Sequence, residues 1–535
     1  MTFKQLTEQD KEYISHIYYE QDLNHNEKTE ILTKKYDCSA RTIRRWWKDG
    51  LNLSEISTDT SPQLNKARKR EFKKDTDIVL VTSAQNKTGV YLKALKNIEA
   101  YKKYLEEKGY KVEIAVLPST YRNPTSLLES KKYKTEKWWR DEIDDYLIYG
   151  KKYFGDVLIA ANSRIRPTAK EPLTSFELLA KNNHLILPHP KTHFKTLPRF
   201  KNKPLRVMAT TSFITYKNYS DSKAGNIAEE NHSYGFVVIE KKEDGNCHIP
   251  RNVKMDSQGN FYDVIFKVED EKVSVLENSL GLVWGDWHCR NINTEVFSKS
   301  LSLVELLKPK KHVLHDVSDF STANPHESKD FYIQRQKIIN GQHLIEEEIE
   351  ETFSYLQKLQ EVDTNSEINV SISNHDLFLD RLINDANWKK DLHNSPAYLK
   401  YAYIQQTEKI EDYGSIYGYL LNKKFNGKIK YLNYGDSLEI GGYETALHGD
   451  VAANGARGNY KSFSRLNTKM IHAHSHSPII HNGVTVVGVT CNLNQYYTRK
   501  GMSSWAYAHS VIHPNNKNQL LVFGDDLKIS NLIKL

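Results

Sequence analysis

The sequence predicts a layered α/β protein preceded by a small all-α domain, and three observations lead there. After about residue 280, short apolar runs of strand length each end in an acidic, amide or imidazole side chain: GLVWGDWH, HVLHDVSD, INVSISNHD, YETALHGD and KMIHAHSH. Helical stretches separate several of them, notably 296–308 and 328–360, which is the alternation of a sheet with crossover helices. The first 50 residues instead read as helical throughout. A chain of 535 residues has room for two or three full cores.

Bulk composition narrows the class further. Hydrophobic residues make up 39% and charged residues 27%, and no apolar run reaches the roughly 18 residues of a spanning helix, so no membrane partner is expected. The N-terminus, MTFKQLTEQDKEYISH, lacks the apolar stretch of a signal peptide. Cys38, Cys247, Cys289 and Cys491 lie far apart with no CxxC pair, which argues against a disulfide framework or cysteine zinc site and for the cytoplasm. The net charge of +8 permits an anionic partner without demanding one. Its distribution says more. Lys34, Lys35, Arg41, Arg44, Arg45 and Lys48 fall together, and Lys66, Arg68, Lys69, Arg70, Lys73 and Lys74 form a second cluster.

Taken in order, residues 1–50 form the helical domain. Thr7 is an N-cap candidate, and Leu6, Ile14, Ile17 and Tyr18 approximate one face of a first helix. Glu27 to Tyr36 suits a second helix, Asp37-Cys38 a turn, and Ser39 the N-cap of a third that ends near Gly50. Ile43, Trp46 and Trp47 give this last helix an apolar side, leaving Arg41, Arg44, Arg45 and Lys48 outward as DNA contacts. That is the layout of a helix-turn-helix; a helical adaptor for protein contacts would share it. Residues 51–77 read as a mobile basic linker. Residues 78–275 open with a βαβ-like pattern, IVLVTSAQNKTG, a helix near 90–108, then KVEIAVLP, and continue strand-rich. They either complete the core sheet or form a separate platform. Their polar segments SAQN (83–86), NYSDSKAG (218–225) and EENHSYG (229–235) read as ordinary loops.

Residues 276–535 carry the chemistry. Two divalent cations held close together need a bridging carboxylate to offset their repulsion, with imidazole and oxygen ligands suited to Mn, Fe or Zn. Asp286 and His288, two apart on an extended segment, point the same way. Asp316 follows after enough chain for one crossover helix. Any single motif is equally well explained as a surface histidine or a turn-forming Asp; the ordered set is not.

The series DWH, HDVSD, NHD, a lone His and HSH resembles the calcineurin-like metallophosphoesterase signature, over nearly half the chain. The resemblance implies a layered α/β/β/α sandwich with two divalent metal ions, Mn2+ first and Mg2+, Fe or Zn as alternatives. It implies that Asp286, His288 and His476 hold one metal, that Asn374, His448 and His474 hold the other, and that Asp316 bridges. His375 would protonate the leaving group or stabilise the transition state, with Asp376 orienting it. Three glycines of the pattern are replaced, by His315, Ser373 and Ala473. HAH at 472–474 competes with HSH at 474–476; the latter puts Ala473 in the glycine position. His312 and His326 read as ordinary polar residues, and Arg457 as either a phosphate contact or part of a turn.

The metal motifs specify hydrolysis of a phosphoester and not its substrate. With the basic N-terminal segment, the chain resembles a DNA nuclease of the break-repair exonuclease branch, or a tailed-phage protein that handles host DNA in the host cytoplasm. DNA is therefore the expected partner. Two alternatives stay open: a small-molecule phosphatase or cyclic-nucleotide phosphodiesterase, and a DNA-binding protein with an inactive core.

Overall fold

The computed structural model describes residues 6–7, 10, 13–14, 17, 25–50, 61–123, 138–386, 388–495, 498 and 501–533; side chains at 25–26, 44–45, 48–50 and 62 lie outside the description. The chain divides into two compact units, one within Met1–Lys66 and one formed by most of the chain from Ala67 to Leu535.

In the first unit, helices His25–Tyr36 and Ala40–Gly50 are joined by a short turn in which Asp37 takes φ +45°. Ser39 caps the second helix, its Oγ accepting from Thr42 N at 3.2 Å, and Thr7 Oγ1 likewise accepts from Asp10 N. Leu6, Ile14, Ile17, Leu32, Ile43, Trp46 and Trp47 form the core. Tyr36 meets Trp46 edge-on at 5.6 Å. Arg41 is exposed; the side chains of Arg44, Arg45 and Lys48 fall outside the described ones.

The expected linker is partly structure. Residues 51–60 lie outside the described residues, but Pro62–Lys69 is a helix. Arg70 donates to Ile114 O at 2.9 Å and pairs with Glu113, Phe72 packs edge-on against Phe154, and Arg68 lies over Tyr149. A basic run is no guarantee of mobility once its stems find apolar or acidic neighbours.

In the second unit, a six-stranded sheet has the order Ile429–Leu432, Glu367–Ser371, Lys311–Leu314, Gly281–Val283, Ala508–Ile512, Asn518–Val522. Its first four strands are parallel. Helices Thr294–Leu307, Ile345–Val362 and Ile416–Phe425 connect them and bury Leu303, Leu307, Leu356, Leu359 and Phe425 against one face. The stretch expected as helix over 328–360 is two helices, Phe331–Ile339 and Ile345–Val362, with Gly341 at φ +66° between them. On the opposite face Val283, Val313 and Ile512 meet Tyr443 and Ile471 of a ten-stranded sheet, and Val487 just beyond one of its strands.

That second sheet interleaves distant parts of the chain. Glu439–Ile440, Tyr443–Glu444, Lys469–His472, Val484–Val486 and Ile479–His481 continue into Phe194–Thr196, Val207–Thr210, His184–Leu187, Val157–Ala160 and Lys151–Phe154. Residues 78–275 are thus built into the same unit as 276–535. Ile78–Gln85 and Val112–Ser119 pair in parallel across helix Leu92–Glu107, the expected βαβ opening, in a four-stranded sheet that packs on the ten-stranded one through Val79, Val81, Ile159 and Val207. No described helix is long and apolar enough to cross a membrane.

Candidate metal centre

Parallel strands deliver their functional side chains at their carboxyl ends. The chain leaves Gly281–Val283 through Trp284 and Gly285 to Asp286 and His288. Gly285 has no substitute there, because a Cβ would lie 2.7 Å from Ala508 O and 2.8 Å from Val489 N. This close approach lets Asp286 N donate to Gly488 O and Thr490 N donate to Asp286 O. The loop continues beside the next strand's end, where His288 N donates to Asp316 O at 2.7 Å.

The result is three overlapping groups of side chains with the spacing of metal ligands: Asp286, His288, Asp316 and His476, all buried; Asp316, His448 and the half-buried His474; and His288, Asp319 and the half-buried His375. Asp316 belongs to the first two. Its Oδ2 lies 3.5 Å from His288 Nε2 and 3.2 Å from His448 Nε2. His476 Nε2 is 3.0 Å from Asp286 Oδ2 and 3.3 Å from His288 Nε2, and His474 Nδ1 is 3.2 Å from His448 Nε2. Several donor atoms of the set are buried without a hydrogen-bond partner: Asp286 Oδ1 and His448 Nδ1, which lie 3.9 Å apart, and Asp316 Oδ1 and Asn374 Oδ1. Orphaned carboxylate and amide oxygens are costly inside a protein. Convergent imidazole nitrogens beside them are the donor set a divalent cation takes, so the residues fit metal ions.

The backbone here is strained. His288, Asp316, His474 and His476 all have positive φ, between 43° and 70°. The replaced glycines are not the cause, since His315, Ser373 and Ala473 are not among the positive-φ residues. His472 sits outside these groups, its ring packed on Phe463 at 4.6 Å, so the histidines at 474 and 476 are the pair that converges. His312 is structural, bonded to Trp284 and Asp363.

The partner of His375 differs from the expectation. Its Nδ1 donates to Asp319 O at 2.6 Å and lies 3.5 Å from Asp319 Oδ1. Asp376 instead turns into its own loop, Oδ2 accepting from Ser373 N at 3.0 Å and Tyr431 OH at 2.9 Å. Asp376 therefore holds the loop that carries Asn374 and His375, and Asp319 is the residue that orients His375. Asp319 also accepts from His288 Nδ1 at 3.0 Å and from Asn291 Nδ2 at 2.7 Å. It is the second acid of HDVSD, so its signal stood in the motif already quoted. Burial would raise Asp319, but the His288 and His375 hydrogen bonds hold its carboxyl well below the usual carboxylate range. Burial and the Asp316 charge push Asp376 up to about 7. His375 rises to about 10, since Asp316 and Asp319 outweigh the opposing effect of burial.

Over 381 residues the chain is 31% identical to Protein A1 of Escherichia phage T5, a span covering 68% of this chain and 67% of that protein. The chain belongs to the family of that phage protein. No protein-family model matches it, and no solved structure matches it.

Two surroundings of the centre in this A1-family chain bear on what it can accept. Trp505 packs edge-on against His476 with ring centroids 4.0 Å apart. It also lines a cleft of about 490 Å3 with Leu493, Lys201 and Arg199, the last paired with Asp525. Arg457 is exposed on the segment after His448, where Val451 and Arg457 are bridged through their backbones.

Proposed function

We propose that this chain is a calcineurin-like phosphodiesterase that hydrolyses DNA with two divalent metal ions, Mn2+ first among them. The observation that carries this reading is Asp316, whose single Oδ2 faces a histidine of each ligand group. Asp286, His288 and His476 would hold one ion and Asn374, His448 and His474 the other. When bound, the pair supplies Lewis acidity at the phosphoryl oxygens and a nucleophile at neutral pH.

The chain's own groups do the rest. With Nδ1 committed to the Asp319 carbonyl, His375 has Nε2 free to give a proton to the departing oxygen. The Asp319 carbonyl fixes the tautomer and ring plane of His375, and its carboxylate, 3.0 Å from His288 Nδ1, plays for His288 the part of outer-shell carboxylates in metal sites. Trp505 beside His476, with Lys201 in the same cleft, offers an aromatic ring and a cation, which suits a nucleobase and its backbone phosphate. The Ala40–Gly50 helix, with Arg41 exposed, would enter the major groove as a helix-turn-helix reader. Kinship with a phage protein fits action in a host cytoplasm.

The deciding assay offers the purified protein, with Mn2+ or Mg2+, circular and linear DNA in single- and double-stranded form. Turnover of a small chromogenic diester with every DNA left intact would move the assignment to a small-molecule phosphodiesterase. Tight DNA binding with no metal-dependent turnover would make the core a scaffold.

His375→Ala should keep both metals and lose about 10²–10⁴ in rate, the range of a positioned acid. Metal content measured beside kinetics separates the roles. Loss of metal in this variant would make His375 a ligand.

A further inference from the structure

An electropositive cavity of about 210 Å3 lies in the second unit, outside the proposed metal centre. Four lysines line it. Lys191 lies between strands His184–Leu187 and Phe194–Thr196, and Lys254 ends strand Arg251–Lys254. Lys469 begins strand Lys469–His472, and Lys517 sits in the turn before Asn518–Val522. Lys469 and His474 mark the two ends of one largely extended run, so roughly 15 Å of chain separates this cavity from the metal ligands. Part of the polar stretch EENHSYG, which the metal centre leaves unused, forms another wall: Glu230 and Ser233 belong to it.

Bringing like charges from separate elements into one concavity costs Coulomb energy unless an opposite charge offsets it. The described residues supply that offset only in part, with one carboxylate, Glu230, in the wall against four lysines. None of the four ammonium groups has a carboxylate within ion-pair distance of 4.0 Å, and Glu230 makes no ion pair either. Glu171 and Asp256 act on Lys191 and Lys517 only from longer range. Lys191 is 4% exposed, and its ammonium has no hydrogen-bond partner among the described residues. Lys254 donates to Asn518 Oδ1 at 2.6 Å, a neutral acceptor. Burial, with Lys517 and Lys469 nearby, pushes it down to about 7.

We propose that this cavity binds a phosphate-class dianion, either inorganic phosphate or the phosphomonoester group of a small molecule. The volume is below the roughly 300 Å3 at which pockets for whole drug-sized ligands begin, so a headgroup fits and an extended strand does not. A cation is disfavoured. Glu171, His193 and His481 at the margin have metal-ligand spacing, but Asn482 bonds both histidines, at 3.2 and 3.1 Å, and the lysines repel a positive ion.

The test is isothermal titration of the full-length, chelator-treated protein with inorganic phosphate and, separately, with deoxyadenosine 5′-monophosphate. One saturable site is expected for at least one of them. Lys254→Met and Lys517→Met should each weaken it about tenfold, the loss of one charge-assisted hydrogen bond. Lys469→Ala, at an exposed position of its strand, should weaken it too, while Asp316→Asn should leave it unchanged. Binding of phosphate alone would identify a free-anion site, and tighter binding of the nucleotide a phosphomonoester site. The proposal is overturned by any of three results: no saturable binding at millimolar ligand, affinity indifferent to all three lysine variants, or affinity lost in Asp316→Asn. Stoichiometric zinc uptake that His193→Ala abolishes, with no phosphate bound, overturns it as well.

Discussion

Asp316→Ala should abolish hydrolysis of DNA and of small diesters alike, with the melting temperature little changed. The carboxylate is buried and touches one histidine from each ligand group, so its removal leaves both groups incomplete. Lewis-acid stabilisation amounts to several kcal/mol, and a loss of about 4 kcal/mol is a rate loss of roughly 10³-fold. The fold should survive because Asp316 belongs to none of the hydrophobic clusters and has an oxygen that no group in the protein satisfies. Metal content and turnover are measured on the same preparation. Near wild-type turnover at matched metal content would refute the bridging role, and Asn374→Ala should show the same loss on the side of His448 and His474.

Removing residues 1–60 should weaken DNA binding and flatten its salt dependence, while a small phosphodiester is still hydrolysed. The cut spares the helix Pro62–Lys69, because Ala67 and the residues after it are built into the second unit. Each lost phosphate contact should reduce the log–log salt slope by roughly 0.7–0.9. Replacing Arg41, Arg44 and Arg45 with Ala while keeping Ile43 and Trp46 is the finer version, since those two residues fill the core of the N-terminal unit. Unchanged affinity at low and moderate salt would make that unit an adaptor for protein contacts and leave the nuclease proposal on the second unit alone.

The metal-ligand groups were legible because their spacing is local. Asp286 and His288, like His474 and His476, sit two apart just beyond strands, and the apolar runs before them announce those strands. The orienting role of Asp319 was not legible, although the residue was in view. Nothing in HDVSD tells which histidine its second acid will meet, and the natural guess, Asp376 beside His375, fails because Asp376 is drawn to Ser373 and Tyr431. The membership of residues 78–275 was equally hidden. It depends on pairings such as Ile480 with Phe194, which link strands far apart in the chain and leave no periodic trace. The basic run at 66–74 misled through composition, since a lysine-rich segment looks the same whether solvated or docked.

The left-handed backbone at His288, Asp316, His474 and His476 has a consequence for how this sequence can drift. An L-residue in that region costs about 1–2 kcal/mol relative to the right-handed one, and glycine escapes the penalty. At these positions the residue with the least backbone strain is thus not the residue that could hold metal. A lineage selected for thermal stability alone would accumulate glycine there, and would lose the candidate metal ligands first at the sites where it gained most.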